Sequence, residues 1–476
     1  MYNSQLLKIV KSLSKIELRE LDKYVSSPYF NNREDVTKLY TYLTAHLNSP
    51  PVIYGKERVF SHLFSNRSYD DALMRQLIHA LLKVLKGYLV QKEIELSKTT
   101  YQLWLSKAFR RRGFDTSFEK ELETAREENV LQVYRNAPYH LQNYLINFEK
   151  TDNISFSRRK GDIPLNDLAM SLTLFYASEL FRLSSFSLSY QAVAQREFRL
   201  PLLSEVLVWF ETSDFGRKHA DFGENTEGVV LAIYYNVFKA LETQHVGYFT
   251  ELKLLLKDYW MLFPDNECYQ IYTAALNFCV KRINSGEQIY LQHYFDLHES
   301  GLQNKQLFEN GILSKFTYKN VITAALRLGK MDWVRQFIDD YKPFIHAKDR
   351  EMAYSYNLAN YYLHQKDYSH AQQLLQRADF GDIPTNLTVR AMQLRIYYDT
   401  DAYDALESLL DSYQVYIQRQ KDLGYLKDNY LNMIKIVRKM LKTNLTDRPQ
   451  KAALYEEVLE LKNVVQKEWL LEKLRK

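Results

Sequence analysis

Glycine and proline, the residues on which tight turns most often depend, are scarce in this chain. Only 14 glycines and 10 prolines occur among 476 residues, where average usage would supply about 33 and about 24. Because β-hairpins and β-sandwiches need many turns with left-handed or proline-fixed backbone geometry, such folds are disfavoured. We therefore predict an all-α protein built from long helices joined by short loops.

Length and composition narrow the fold class further. A single hydrophobic core stops growing beyond about 250 to 300 residues, so this chain must form several domains or an open stack of units. A hydrophobic fraction of 46% and a charged fraction of 25% are typical of a folded globular protein. The net charge of +5 is a small difference between 63 basic and 58 acidic residues, and it does not indicate nucleic acid as a partner.

Targeting and redox features of the sequence favour the cytoplasm as the compartment of this protein. The N-terminal segment lacks the sustained apolar run of a secretory signal, and no apolar run reaches the length of about 18 residues that suggests a transmembrane helix. The two cysteines, Cys268 and Cys279, lie on one predicted helix after Pro264. They are about 16 Å apart on that helix, beyond disulfide reach. We predict a cytoplasmic protein without membrane association.

Helix-start signals recur along the chain. Capping-box sequences at Ser14–Glu17 and Thr116–Glu119 each place a hydroxyl and a glutamate where they can satisfy free backbone N–H groups. Pro164, Pro384 and Pro449 each follow an aspartate by two positions, which is typical of the first turn of a helix. These signals support helices in both halves of the chain.

Small and large residues in the stretch from Tyr356 to Ala378 have the spacing of two interlocking antiparallel helices. They are Leu358, Ala359, Tyr362, Tyr368, Ala371, Leu375 and Ala378. The stretch resembles a tetratricopeptide repeat, a family in which small residues allow close helix contact and large residues fill the gaps. Tyr368 marks the turn of this repeat. Equivalent turn positions stand 37 residues before Tyr368, at Met331, and 35 residues after it, at Tyr403. Both spacings are near the family period of about 34 residues.

This resemblance suggests how the chain is organised. Phe249 and Pro264 fit the same template, but the 82 residues from Phe249 to Met331 require longer helices or an insertion. We predict four segments. They are an N-terminal helical region at residues 1–213, a loop at 214–228, tetratricopeptide-like repeats forming an α-solenoid at 229–446, and a C-terminal capping helix at 447–476.

The sequence shows no recognisable catalytic, cofactor or metal motif. Gly223 and Gly228 have the spacing of a phosphate-binding loop, but two valines follow where lysine and a hydroxyl residue would be needed. His293 and His298 are five residues apart, which places their rings on different faces of a helix. We predict a protein that is not an enzyme and that needs no cofactor or metal, while a site assembled from scattered residues stays open.

A second interpretation concerns residues 56–90. A short helix, a turn and a long helix resemble the helix pair of winged-helix regulators, whose second helix enters the DNA major groove. That family continues into a strand hairpin, whereas residues 87–93 here still have a helical pattern. The outward residues of the long helix are Arg75, His79 and Lys83. The alternative function is therefore a regulator that contacts DNA while its repeats sense a partner.

Two basic runs, Arg110–Arg112 and Arg158–Lys160, bear on that alternative. Each run fits either the C-terminal end of a helix, where the helix dipole favours positive charge, or a contact with phosphate.

The tetratricopeptide resemblance implies a concave groove lined by the first helix of each repeat. Aligned on the three turn positions, the groove residues are Lys319, Thr323, Arg327, Tyr356, Asn360, His364, Arg395 and Tyr398. This surface is basic, amide-bearing and aromatic, which suits the backbone and carboxylates of an extended peptide. We expect a non-enzymatic scaffold that binds a protein or peptide partner. Some groove residues could equally contact neighbouring helices or the chain's own C-terminal helix.

Overall fold

The structure is a computed structural model in which helices dominate. It describes residues 1–157, 164–194, 203–214, 226–377, 382–420, 423–443, 447–461 and 463–475. Of these residues, 80% are helical, and they form 23 α-helices and one pair of short strands. The predicted all-α fold class is confirmed.

Packing divides the chain into two units, Met1–Ala177 and Ser178–Lys476. The first unit contains eight complete helices and the start of a ninth. In chain order these are α1 (Gln5–Ser12), α2 (Lys15–Ser26), α3 (Glu34–Ala45), α4 (Lys56–Leu63), α5 (Asp71–Leu96), α6 (Lys98–Arg110), α7 (Asp115–Val130), α8 (Ala137–Ser157) and α9 (Leu165–Ala194). Helices α1 to α5 share one apolar core, and α6 to α8 share a second, smaller one.

The second unit contains the remaining helices. They are α10 (Leu203–Thr212), α11 (Thr226–Thr243), α12 (Val246–Tyr259), α13 (Asp265–Asn284), α14 (Ile289–Gln303), α15 (Lys315–Arg327), α16 (Met331–Tyr341), α17 (Arg350–His364), α18 (Tyr368–Arg377), α19 (Ile383–Asp399), α20 (Tyr403–Arg419), α21 (Tyr425–Lys442), α22 (Arg448–Glu460) and α23 (Lys467–Leu474). Most of the loop predicted at residues 214–228 lies outside the described residues, so that boundary stays a prediction.

Consecutive helices of the second unit pack as hairpins. The pairs are α11 with α12, α13 with α14, α15 with α16, α17 with α18, and α19 with α20. First helices also pack on one another, α15 on α17 and α17 on α19, and each second helix contacts the first helix of the next pair. This pattern of neighbours is compatible with a helical repeat, and three of the hairpins turn where the sequence predicts.

The backbone geometry of the hairpin turns shows how a chain with few glycines can form many turns. Each turn contains one residue with left-handed backbone geometry, and these residues are Gln244, Gly286, Gly329, Lys366 and Asp401. In the last four turns, the N–H of the following residue donates to a carbonyl five residues earlier, which is the Schellman arrangement that closes a helix end. Three of the five turns therefore use a non-glycine residue in a conformation that usually favours glycine.

A short β-hairpin accounts for part of the long spacing between Phe249 and Met331. Strand β1 (Phe308–Glu309) pairs antiparallel with β2 (Ile312–Leu313). The two residues between them, Asn310 and Gly311, both have positive φ angles, as a two-residue hairpin turn requires. The longer helices of the preceding hairpin, α13 and α14, account for much of the remainder.

Helix starts agree with the sequence in most cases. Ser14 and Glu17 form the predicted capping box, and Pro384 and Pro449 lie in the first turns of α19 and α22. The capping box predicted at Thr116 is wrong. Helix α7 already begins at Asp115, so Thr116 lies inside the first turn and cannot cap it.

The C-terminal segment differs from the single capping helix predicted for residues 447–476. It forms two helices, α22 and α23, because the chain leaves helical geometry after Glu460 and passes through left-handed Gln466. Cys268 and Cys279 both lie on α13, as predicted, and both are buried free thiols whose pKa burial raises to about 12. No helix among the described residues combines the length and apolar character that a membrane span needs.

Candidate functional site

Helices α15, α17 and α19 lie next to one another and form the surface on which the predicted groove residues fall. We call it the three-helix surface. Each of the three is the first helix of a hairpin, and each packs on the next. Their second helices, α16, α18 and α20, fix them in this order because every second helix also contacts the following first helix, or α21 in the case of α20.

One lysine connects the N-terminal ends of the three helices. The Lys315 amine at the start of α15 lies 3.1 Å from the Asp349 carboxylate, before α17, and 3.3 Å from that of Asp382, before α19. Asp382 also accepts a hydrogen bond from the Thr385 N–H and caps α19. The capping and Lys315 hold the pKa of Asp382 below its usual value despite its burial. Acidic residues at helix starts are favoured by the helix dipole.

The C-terminal helix α23 lies across the opposite ends. Arg327, the last residue of α15, is 2.8 Å from the Glu468 carboxylate, and Lys366, after α17, is 3.4 Å from that of Glu472. At the end of α19, Asp399 accepts a hydrogen bond from the Trp469 indole at 3.1 Å. One short helix therefore contacts the C-terminal ends of all three helices.

Asp399 is the most buried acidic group of this contact, with 3% of its side chain exposed. Besides the indole, its carboxylate lies 2.8 Å from the Lys473 amine and accepts a hydrogen bond from the Tyr368 hydroxyl at 2.9 Å. Partial burial and this hydrogen bond raise the pKa of Tyr368 to about 12. The Arg395 Nε lies 3.7 Å away and has no hydrogen-bond partner among the described residues.

Apolar contacts complete the docking of α23. Trp469, Leu470 and Leu474 are almost fully buried and belong to one core cluster with side chains of α19 to α22. The ring of Tyr398, a predicted groove residue, meets the Trp469 ring edge-on with centroids 5.5 Å apart. Of the two possibilities that the sequence leaves open for these residues, contact with the chain's own last helix applies to Tyr398.

Three predicted groove residues are buried instead of open to a partner: Tyr356, Asn360 and Arg395. Tyr356 is 4% exposed because its ring packs in a cluster with Val389 and Met392 of the neighbouring helix α19. This burial also raises the pKa of its hydroxyl. The expectation that Tyr356 faces an open groove is therefore wrong.

The other predicted residues lie along α15 and at the end of α17. The Lys319 amine is 4.9 Å from the centroid of the Tyr356 ring, and burial lowers its pKa. No carboxylate of the described residues lies within ion-pair distance of it. The Thr323 hydroxyl donates to the Lys319 carbonyl, and the exposed His364 has its Nδ1 2.9 Å from the Asn360 carbonyl. Within the part of the chain that the structure describes, Lys319 therefore makes no ion pair, although the Asp382 carboxylate acts on it at longer range.

The sequence predictions missed Asp399, Lys366 and the acidic face of α23. Asp399 follows the predicted residue Tyr398 directly, and Glu468 and Glu472 are four residues apart on one helix face. Like charges at that spacing are neighbours on one helix face and repel each other, so a nearby opposite charge would be favourable there. They do not indicate which helix supplies it, because Arg327 is distant in the sequence.

The segment proposed to contact DNA is helical throughout its second part. Arg75, His79 and Lys83 are exposed on α5, as predicted. Helix α5 continues to Leu96, and residues 1–157 contain no strand, so the wing of the winged-helix family is not formed. Arg110 of the first basic run pairs with Glu149 and Asp152 of α8, while the run Arg158–Lys160 lies outside the described residues.

The described part of the chain contains no group of three or more histidine, cysteine, aspartate or glutamate side chains placed to hold a metal ion.

Comparison with known proteins found no matching family, no matching curated protein and no matching solved structure. The resemblance to the tetratricopeptide family therefore stays a prediction from the repeat residues, and the hairpin packing is compatible with a helical repeat.

Proposed function

We propose that this chain is a non-enzymatic, tetratricopeptide-like helical scaffold in the cytoplasm that binds a protein or peptide partner on the three-helix surface. The docking of α23 is the main support, because it places an amphipathic helix on this surface through one aromatic anchor and complementary charges. Aromatic anchors in buried pockets dominate the energetics of many protein interfaces. The two reduced, buried cysteines are in keeping with the cytoplasm.

A partner would gain binding free energy from a contact with Lys319, in addition to contacts of the kind that α23 makes. The half-buried amine of Lys319 makes no ion pair within 4 Å among the described residues, and burial lowers its pKa although the charge of Asp382 acts against this shift. A partner carboxylate placed there would remove the cost of holding this charge partly out of water. We therefore expect an acidic group in the bound segment of the partner.

Affinity capture with the full chain tests this function. The wild type, Lys319→Gln and the control Lys257→Gln, at an exposed position of α12, are used as baits, and retained proteins are quantified by mass spectrometry. We expect at least one protein to be retained by the wild type and the control and to be depleted about tenfold with Lys319→Gln, since a charged hydrogen bond contributes about 1.5 to 3 kcal/mol. Equal retention by all three baits would contradict this role of the surface.

The alternative, a regulator that contacts DNA, depends on the exposed basic residues of α5. Genuine DNA binding would weaken steeply with salt because each phosphate contact releases a counter-ion. Retention of the chain on duplex DNA at low salt, lost on charge removal at Arg75 and Lys83, would favour this alternative over the scaffold.

A further inference from the structure

Helix α23 has the properties of a segment that can leave its site. It is eight residues long, and isolated helices shorter than about 12 residues are marginal in water, so its helical state depends on docking. Its two outer ion pairs use the largely exposed carboxylates of Glu468 and Glu472. Such exposed pairs contribute little to stability. Release of α23 therefore costs mainly the burial of Trp469, Leu470 and Leu474 and the contacts of Trp469 and Lys473 with Asp399.

The polar groups beneath α23 can still find hydrogen-bond partners after the helix leaves. Asp399 would lose the Trp469 indole and the Lys473 amine, but it would keep the Tyr368 hydroxyl. The Arg395 Nε is already 3.7 Å away and lacks a hydrogen-bond partner among the described residues, so a small rotation would pair it with Asp399. An arginine–carboxylate pair would replace the lost charge interaction.

We propose that α23 is an internal competitor for the partner of this protein, a proposal that rests on the function proposed above. The partner supplies a short amphipathic helix with the chemistry of α23. That helix carries a tryptophan for Asp399, leucines for the adjoining apolar core, and two acidic residues four positions apart for Arg327 and Lys366. It binds by displacing α23 from the three-helix surface.

Competition of this kind reduces apparent affinity in a calculable way. A tethered segment is present at an effective concentration of about 1 mM when its linker is short. The affinity for an external helix falls by the fraction of molecules in which α23 is released, so an open fraction of about 1% weakens binding about 100-fold. Weakening the docking of α23 must therefore strengthen the binding of an external helix.

A fluorescent peptide with the sequence of residues 463–476 provides the probe. Its binding is measured to the full-length wild type and to the full-length double variant Glu468→Lys/Glu472→Lys, in which α23 repels Arg327 and Lys366. The matched control is Glu456→Lys/Glu460→Lys, which reverses two exposed charges with the same spacing on α22. Hydrogen exchange of residues 467–474 reports release of α23 in each protein.

We expect the Glu468→Lys/Glu472→Lys variant to bind the peptide at least about tenfold more tightly than the wild type and the control. Its α23 amides should exchange faster, and a peptide with the same two charge reversals should bind weakly. The single variant Lys473→Gln, which removes one contact with Asp399, should give a smaller increase in affinity. This second variant keeps the test decisive if the double variant does not fold.

Three results would overturn the proposal. One is unchanged peptide affinity although hydrogen exchange shows that α23 is released. Another is a stable dimer of the double variant by light scattering that does not bind the peptide, which would make a second copy of the chain the occupant. The Lys319→Gln capture experiment does not involve α23, so a partner lost with Lys319→Gln but indifferent to the peptide would leave the proposed function intact and reject the competitor.

Discussion

The indole N–H of Trp469 donates a hydrogen bond to the carboxylate of Asp399, with the nitrogen 3.1 Å and 3.2 Å from the two oxygens. Trp469 is 3% exposed, and the Asp399 side chain is equally buried. The two residues are 70 positions apart in the chain. The pair therefore joins the last helix, α23, to the end of α19 by a charged hydrogen bond that water hardly reaches.

Replacing Trp469 separates this hydrogen bond from the burial of the ring. We expect Trp469→Phe to lower the free energy of unfolding by about 1.5 to 3 kcal/mol, the usual contribution of a hydrogen bond to a charged group. Trp469→Ala should cost about 3 to 5 kcal/mol, because it also removes the buried ring. Urea denaturation followed by circular dichroism measures both changes.

The control for this series is Trp104→Phe, at a tryptophan of α6 that is 56% exposed. It should change the stability by less than about 0.5 kcal/mol. If Trp469→Phe were as mild as the control, the hydrogen bond to Asp399 would contribute nothing.

Ala371 and Tyr356 test the repeat packing. The repeat pattern predicts that Ala371 lies at a close helix contact and that Tyr356 faces an open groove. The structure buries both in one apolar cluster between α17, α18 and α19. Ala371→Leu should overpack this cluster and cost about 1 to 3 kcal/mol, and Tyr356→Ala should cost about 3 to 5 kcal/mol because it leaves a cavity.

Thermal melts of the two variants decide between the groove assignment made from the sequence and the buried position that the structure gives Tyr356. The groove assignment from the sequence expects a much smaller loss at Tyr356 than at Ala371. The structure expects the larger loss at Tyr356. A Tyr356→Ala variant close to wild type would show that this ring is not part of the core.

The hairpins could be predicted from the sequence, whereas the docking of α23 could not. Turn positions at Met331, Tyr368 and Tyr403 follow from local residue patterns, because a helix end depends on a few neighbouring residues. The contact between Arg327 and Glu468 joins residues 141 positions apart. Many cations and carboxylates in this chain have suitable spacing for such a pair, so the choice among them depends on tertiary packing.

The basic run at the end of α6 offers a matched comparison of two arginines. Arg110 contacts the buried carboxylate of Glu149, which is also 3.0 Å from Lys107, whereas the exposed side chain of Arg112 donates to the Ala108 carbonyl. Arg110→Ala should cost about 2 to 3 kcal/mol, below the usual range for a broken buried pair because Lys107 remains. Arg112→Ala should change stability by less than about 0.5 kcal/mol.

Urea denaturation of both variants measures the difference. A similar, small loss at the two positions would indicate that Arg110 is not held by Glu149. It would also reopen the interpretation of this run as a phosphate contact.

His298 on α14 makes the stability of the second unit depend on pH. Its ring is 2% exposed, neither nitrogen has a hydrogen-bond partner among the described residues, and burial lowers its pKa to about 3. The folded state therefore keeps the ring neutral, while the unfolded chain takes up a proton below its ordinary pKa of about 6.5. Stability is fully present above pH 6.5 and falls as the pH decreases toward 3.

Between pH 7 and pH 5 this one group should lower the free energy of unfolding by about 2 kcal/mol. His298→Leu removes the titrating ring and keeps an apolar side chain in the buried site. The wild type should therefore lose about 2 kcal/mol more than the variant when urea denaturation is compared at pH 7, 6 and 5. Other titrating groups are common to both proteins and cancel in the comparison, so equal losses would show that His298 is protonated as readily in the folded chain as in the unfolded one.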